Sequence, residues 1–164
     1  MVIIIILVVV FLSKLSMKIK AFTAGMLLSL TYSAIGTAKE HTVKLLTVDD
    51  NRQTMIMEPS YIRISKGDVV NFVTSDTTHN AQSLILPEGA KPFTTELGKS
   101  QKVAFSVEGA YLYKCTPHFA LGMLGVIQVG RVKNLNKLYA EWESVKENVV
   151  LNKVRVENAI KQIQ

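Results

Sequence analysis

Between residues 41 and 130 apolar and polar side chains alternate with a period of two, in short runs rich in β-branched residues. That is the pattern of half-buried strands. Eight runs are predicted as strands: Thr42–Val48, Met55–Glu58, Tyr61–Ser65, Asp68–Thr74, Ala81–Ile85, Gln101–Ser106, Gly109–Lys114 and Met123–Val129. Lys66-Gly67-Asp68, Pro87-Glu88-Gly89 and Glu108-Gly109 supply turn chemistry between them. Many short strands at this spacing predict an all-β fold, an eight-stranded antiparallel Greek-key β-sandwich over residues 39–130.

The period changes at both ends. From Asn134 onward there is neither Gly nor Pro, and apolar residues recur at helical spacing. Leu135, Leu138, Trp142 and Val145 predict one face of a first helix. Val150, Val154, Ile160 and Ile163 predict a second, starting near Asn148. Residues 131–164 therefore read as a two-helix extension packed on the sandwich. At the other end, Val2–Leu12 is an unbroken apolar run, too short for a membrane-spanning helix of about 20 residues. Met17 begins a second start: Lys18 and Lys20, an apolar stretch from Ala21 to Leu30, then Gly36-Thr37-Ala38. A charged n-region, a short apolar h-region and a small-x-small exit describe a secretory signal peptide. Residues 1–38 are expected to be that signal, with Met17 the initiator, residues 1–16 an over-extended start and cleavage after Ala38. The rival reading, one long anchor over 1–38, is interrupted by Lys14, Lys18 and Lys20.

Export changes the meaning of charge and of cysteine. Cleavage removes three lysines and no acidic residue, so the net charge falls from +6 to +3. A mild positive excess suits steering toward an acidic partner surface. It is not the dense basic footprint of a nucleic-acid binder, and no membrane anchor remains after cleavage. The chain has one cysteine. In an oxidising compartment an unpaired Cys is an intermolecular disulfide, a stray thiol or a ligand.

Cys115 ends one predicted strand and Met123 opens the next, with His118 on the loop between them. Thiolate, imidazole and thioether on one short loop suit copper best among the common biological metals. Each residue has an ordinary alternative: a loop His is usually solvated, a Met at the start of a strand is usually core, and a lone buried Cys packs as a small hydrophobe. Their coincidence on one strand-to-strand loop is what outweighs those alternatives. A fourth ligand has to come from elsewhere. His79, after the polar turn Ser75–Thr78, is favoured over His41, which as the third residue of the mature chain is expected to be frayed.

The string Tyr113-Lys114-Cys115-Thr116-Pro117-His118-Phe119-Ala120-Leu121-Gly122-Met123 resembles the copper loop of pseudoazurins, blue copper proteins of the cupredoxin class. Met57–Ile64 with Gly67-Asp68, the pair His79-Asn80, Leu86–Ala90 and the two-helix tail extend the likeness over nearly all of the mature chain. The resemblance implies one type 1 copper per chain. His79, Cys115 and His118 would form the strong trigonal set and Met123 the weak axial ligand, an electron-transfer geometry. Around them it implies Asn80 as backbone donor to the Cys115 sulfur, with Thr116 and Pro117 on the loop and Met55 near the outer ring of His118. Pro117 has no N–H to offer, and fewer donors to the thiolate should pull the potential down.

The implied role is a periplasmic one-electron carrier, a monomer and not an enzyme, that serves a copper nitrite reductase in denitrification or exchanges electrons with cytochrome c. Lys114 and Lys91 would ring an apolar docking patch. Thr77 stands where many relatives carry lysine, and Asp49 and Asp50 thin the positive ring further. The alternative is a copper-delivery module, which would need exchangeable ligands. Structural zinc sites do not use thioether. A thiol hydrolase would need a Cys–His pair, and none is visible apart from this loop.

Overall fold

The computed structural model describes residues 37–164 and divides their backbone into two four-stranded sheets and two terminal helices. Most of the segment expected to be the leader, including both candidate starts, lies outside the described residues. The strands are β1 (Glu40–Val48), β2 (Thr54–Glu58), β3 (Tyr61–Ile64), β4 (Val69–Thr74), β5 (Gln82–Ile85), β6 (Gln101–Ala104), β7 (Gly109–Lys114) and β8 (Leu124–Val129). One sheet runs β2-β1-β4-β6 and the other β3-β8-β7-β5. All eight predicted strands are present, within one or two residues of their expected bounds.

The sheets are mixed rather than purely antiparallel, because β1 pairs with β4 and β3 with β8 in parallel. Period-2 alternation reports which face of a strand is buried. It carries no information on the direction of the neighbouring strand, so this part of the expectation had no signal behind it.

Two cores explain the burial. Val43, Leu45, Met57, Val70, Phe72, Tyr111, Tyr113, Ile127 and Val129 fill the space between the sheets. Ala110, Leu112, Leu124 and Val126, on the opposite faces of β7 and β8, pack against Leu138, Trp142, Val149, Val156, Ala159 and Ile160 from the tail. All six residues of β8 are buried, which is why it reads as a nearly continuous apolar run and not as an alternation. Gln128 is its polar exception. Tyr61 Oη and the Gln164 N–H donate to its Oε1 at 2.7 and 3.0 Å, and its Nε2 donates to the Gln164 carbonyl at 2.9 Å, so it ties down the chain end.

The first helix, α1 (Leu135–Val145), buries Leu138 and Trp142 as its spacing predicts. Asn134, just before it, exchanges two 2.8 Å hydrogen bonds with the Ala110 backbone and so docks the helix on β7. The second helix differs from its expectation. It begins at Lys153 (α2, Lys153–Ile160) and buries Val156, Ala159 and Ile160, while Val150 and Val154 are 75% and 66% exposed. The chain before it is held extended by tertiary bonds: the N–H groups of Val150 and Leu151 both donate to the Ala120 carbonyl, at 2.8 and 3.1 Å. That contact fixes the helix start and leaves Val150 outside the helix and Val154 exposed, while Ile160 and Ile163 pack on the core as predicted. Among the described residues no helix is long and apolar enough to cross a membrane.

Candidate metal centre

The loop from Cys115 to Met123 is pinned at both ends. Lys114 pairs with Leu124 across β7 and β8, and the Cys115 N–H donates to the Met123 carbonyl at 2.9 Å. Between these points the chain turns tightly through a 3₁₀ segment, Phe119–Leu121, closed by Gly122 at φ +75°. A Cβ on Gly122 would press on the Leu151 carbonyl and on Asn152, so this position needs glycine both for its backbone angle and for space.

The tail braces the same loop. The Asn152 amide donates to the Leu121 carbonyl at 2.9 Å. Arg155 Nη2 donates to the carbonyls of Gly122 at 3.0 Å and Met55 at 2.6 Å, and Nη1 donates to Thr54 at 3.1 Å. One guanidinium thus joins the loop, the start of β2 and α2.

His79 arrives from the other sheet, five residues past the end of β4. Asp76 organises that turn. It accepts Thr78 N–H and Oγ1–H on Oδ1 at 2.8 and 2.6 Å, and Thr47 Oγ1–H on Oδ2 at 2.6 Å. Those bonds, the one from Thr47 foremost, hold the Asp76 carboxyl well below the usual carboxylate range. The His79 carbonyl accepts the Gly98 N–H at 2.9 Å. Gly98 sits at φ +73°, and a Cβ there would approach Thr77 Cα to 2.8 Å.

Three donor atoms converge where the two segments meet. Cys115 Sγ lies 3.5 Å from His118 Nδ1 and 3.8 Å from His79 Nδ1, and the two Nδ1 atoms are 3.2 Å apart. All three fall within 4.8 Å of one another. Metal–nitrogen and metal–sulfur bonds of about 2.0–2.3 Å set donors roughly 3.5 Å apart around a single ion, which is the spacing observed. Cys115 and His79 are fully buried and His118 is partly exposed. Burial pushes the Cys115 thiol up, and the backbone N–H groups of Asn80 and His118 draw it back. Burial also pushes His79 down, which favours the neutral imidazole that a metal requires. Met123 is fully buried in the same core as Cys115.

Asn80 is a backbone donor toward sulfur, and its side chain also clasps the loop: Thr116 N–H donates to Oδ1 at 2.8 Å, and Nδ2 donates to Thr116 Oγ1 at 3.1 Å. Met55 packs on the core that contains Cys115 and Met123. Pro117 is exposed on the loop.

Lys114 lies beside the site, its ammonium 4.8 Å from the Phe119 ring centroid. Lys91 does not: it lines a cleft with Val107 and Tyr111, around the start of β7, whereas Cys115 follows its end. His41 is not frayed. It is part of β1, and its Nε2 lies 2.9 Å from Asp68, which also accepts the backbone N–H groups of Lys39 and Ser65. Thr47, Asp76 and Arg155 had not been singled out from the sequence. For Thr47 the only signal was register: it continues the face of β1 that buries Val43 and Leu45, at the strand's exposed end.

A two-sheet sandwich with two imidazoles and a thiol at one end defines a small copper protein. The profile of copper binding proteins of the plastocyanin/azurin family matches residues 42–130. A pseudoazurin of Paracoccus pantotrophus is 40% identical over 112 residues, covering 67% of this chain and 75% of that protein. A pseudoazurin of Methylorubrum extorquens is 32% identical over 68% of this chain and 75% of its own length. The crystal structure of native pseudoazurin from Hyphomicrobium denitrificans superposes with a TM-score of 0.66 at 33% identity, covering 76% of this chain and 98% of that one. The chain belongs to the plastocyanin/azurin family of copper proteins and, within it, to the pseudoazurins. Its cofactor is one type 1 copper, and it is an electron carrier rather than an enzyme.

Proposed function

We propose that the chain is a monomeric periplasmic carrier, exported by a signal over residues 1–38 with Met17 as initiator, that passes single electrons to a copper nitrite reductase in denitrification or exchanges them with cytochrome c. In this reading His79, Cys115 and His118 would hold the copper and the buried Met123 would supply the weaker thioether donor. The metal supplies reversible one-electron chemistry when bound. The protein's part is to hold the donors in one arrangement, to exclude water from them and to present one edge to a partner.

The observation that carries the reading is the convergence of two Nδ1 atoms and Sγ within 4.8 Å at a site where only His118 meets the surface. The loop is pinned at each end by the sheet and along its length by the tail. That rigidity supports a carrier and counts against a delivery module, whose ligands must exchange. Lys114 is the rim cation at the His118 side, while Lys91, also expected on the rim, sits near the start of β7.

Visible and EPR spectra of the copper-loaded protein test the centre. An intense thiolate-to-copper charge-transfer band with reversible redox cycling is expected, and its absence would defeat the assignment. Stopped-flow mixing of the reduced protein with a copper nitrite reductase tests the partner, where reoxidation no faster than the background rate would exclude it.

A further inference from the structure

The far side of the His79 ring is as organised as the near side. Its Nε2 lies 2.9 Å from Thr47 Oγ1 and 3.2 Å from Asp76 Oδ2, while Thr47 Oγ1 and Asp76 Oδ2 are 2.6 Å apart. Proton counting fixes the direction of every bond in this triangle. Asp76 as a carboxylate can only accept, and its Oδ1 already takes both Thr78 donors. At 2.6 Å the contact between Thr47 and Oδ2 needs a proton, and the only one available is the threonine hydroxyl's. With that proton committed to Asp76, Thr47 Oγ1 is left as an acceptor. The His79 Nε2 facing it must then carry the hydrogen, so Nδ1, the atom turned toward Cys115, carries the lone pair.

The fold sets up this arrangement. The parallel register of β1 on β4 places Leu45 opposite Thr74, and the Ser75 N–H closes on the Leu45 carbonyl at 3.0 Å. Two residues further along β1, Thr47 is delivered beside the 75–79 turn.

We infer that Thr47 and Asp76 are positioning residues for the copper site: they lock His79 in its Nε2–H tautomer and, through the carboxylate at the end of the chain, bias the centre toward Cu(II). A carboxylate reached by the N–H of a ligating imidazole raises the basicity of the ring, and a more basic ligand favours the more highly charged ion. Loss of such outer partners typically costs about 10- to 100-fold in metal affinity. If that loss falls on Cu(II), the potential rises.

The inference rests on His79 being a ligand, so its test has one arm that needs no metal. In ¹⁵N-labelled metal-free protein, long-range ¹H–¹⁵N spectra should show His79 as the Nε2–H tautomer. In Thr47→Val/Asp76→Asn the ring should populate both tautomers, and Thr47→Ser should restore the wild-type signal. In copper-loaded protein the double variant should titrate at a higher potential, such that the Cu(II) to Cu(I) ratio at the wild-type midpoint falls to about 1:10, or 59 mV for one electron. Thr47→Ser should stay at the wild-type value. A wild-type tautomer and potential in a folded double variant would overturn the inference. A wild-type protein with no charge-transfer band but an intact Nε2–H tautomer would instead defeat the copper reading and leave the network standing.

Discussion

The two imidazoles that meet Cys115 are held in opposite ways. His79 is fully buried, its ring caught between Cys115 on one side and Thr47 with Asp76 on the other. His118 is partly exposed on a loop whose stiffness comes from elsewhere, through the sheet at Cys115 and Met123 and the tail at Ala120, Leu121 and Gly122. The difference separates two tasks. A side chain buried among its own hydrogen bonds gives a fixed donor direction with no path to solvent. A side chain on a braced loop can be rigid and still reach the surface.

The sharpest way to break that asymmetry is to delete each ring in turn. His118→Gly should lose the charge-transfer band and regain it with added imidazole, because the vacated position opens to solvent. His79→Gly should lose the band without rescue, since the space it leaves is enclosed. Equal rescue of both, read from the visible spectrum, would contradict the assignment of buried and open sides.

Trp142→Ala tests whether the tail core is separable from the site. Trp142 is 2% exposed and packs behind β7, and its truncation should cost about 3–5 kcal/mol in thermal or denaturant unfolding. The visible band of the folded protein should not move. Arg155→Ala acts closer to the loop. It strips donors from the carbonyls of Thr54, Met55 and Gly122 and should cost about 1–3 kcal/mol. Faster amide exchange at residues 119–123 should accompany it, and exchange unchanged from wild type would show that the tail does not brace the loop.

The smallest effect expected is at the opposite end of β1. The N–H groups of Lys39 and Ser65, together with His41, hold the Asp68 carboxyl at about 2 against an ordinary 3.8. Its folded value is depressed, so its contribution to stability is full above pH 4 and disappears as pH falls toward 2. Asp68→Asn should flatten the acid-unfolding curve in that window without altering the copper spectrum.

Strand positions and the Cys115–Met123 loop were legible in the sequence because each rests on local information, whereas His79, 36 residues from Cys115, was reached by choosing between the two remaining histidines and by the resemblance to pseudoazurins. Alternation marks buried faces, and the spacing of Cys115, His118 and Met123 is carried by one loop. The second helix was misplaced because Val150 and Val154 fit a helical period as well as the residues that are in fact buried. Hydrogen bonds to Ala120, far away in sequence, decided between them. His41 read as frayed because its partner Asp68 lies 27 residues away.

By itself, then, the sequence determined the sandwich, the three donors of the Cys115–Met123 loop and the metal they suit, all of which follow from side-chain type and short-range period. Only the tertiary structure decided the parallel pairing of β1 with β4, the tail's grip on the loop and the Thr47–Asp76–His79 chain. These depend on which segments lie side by side, and a residue's own chemistry does not reveal its neighbour when 32 residues of chain separate them, as they do Thr47 from His79.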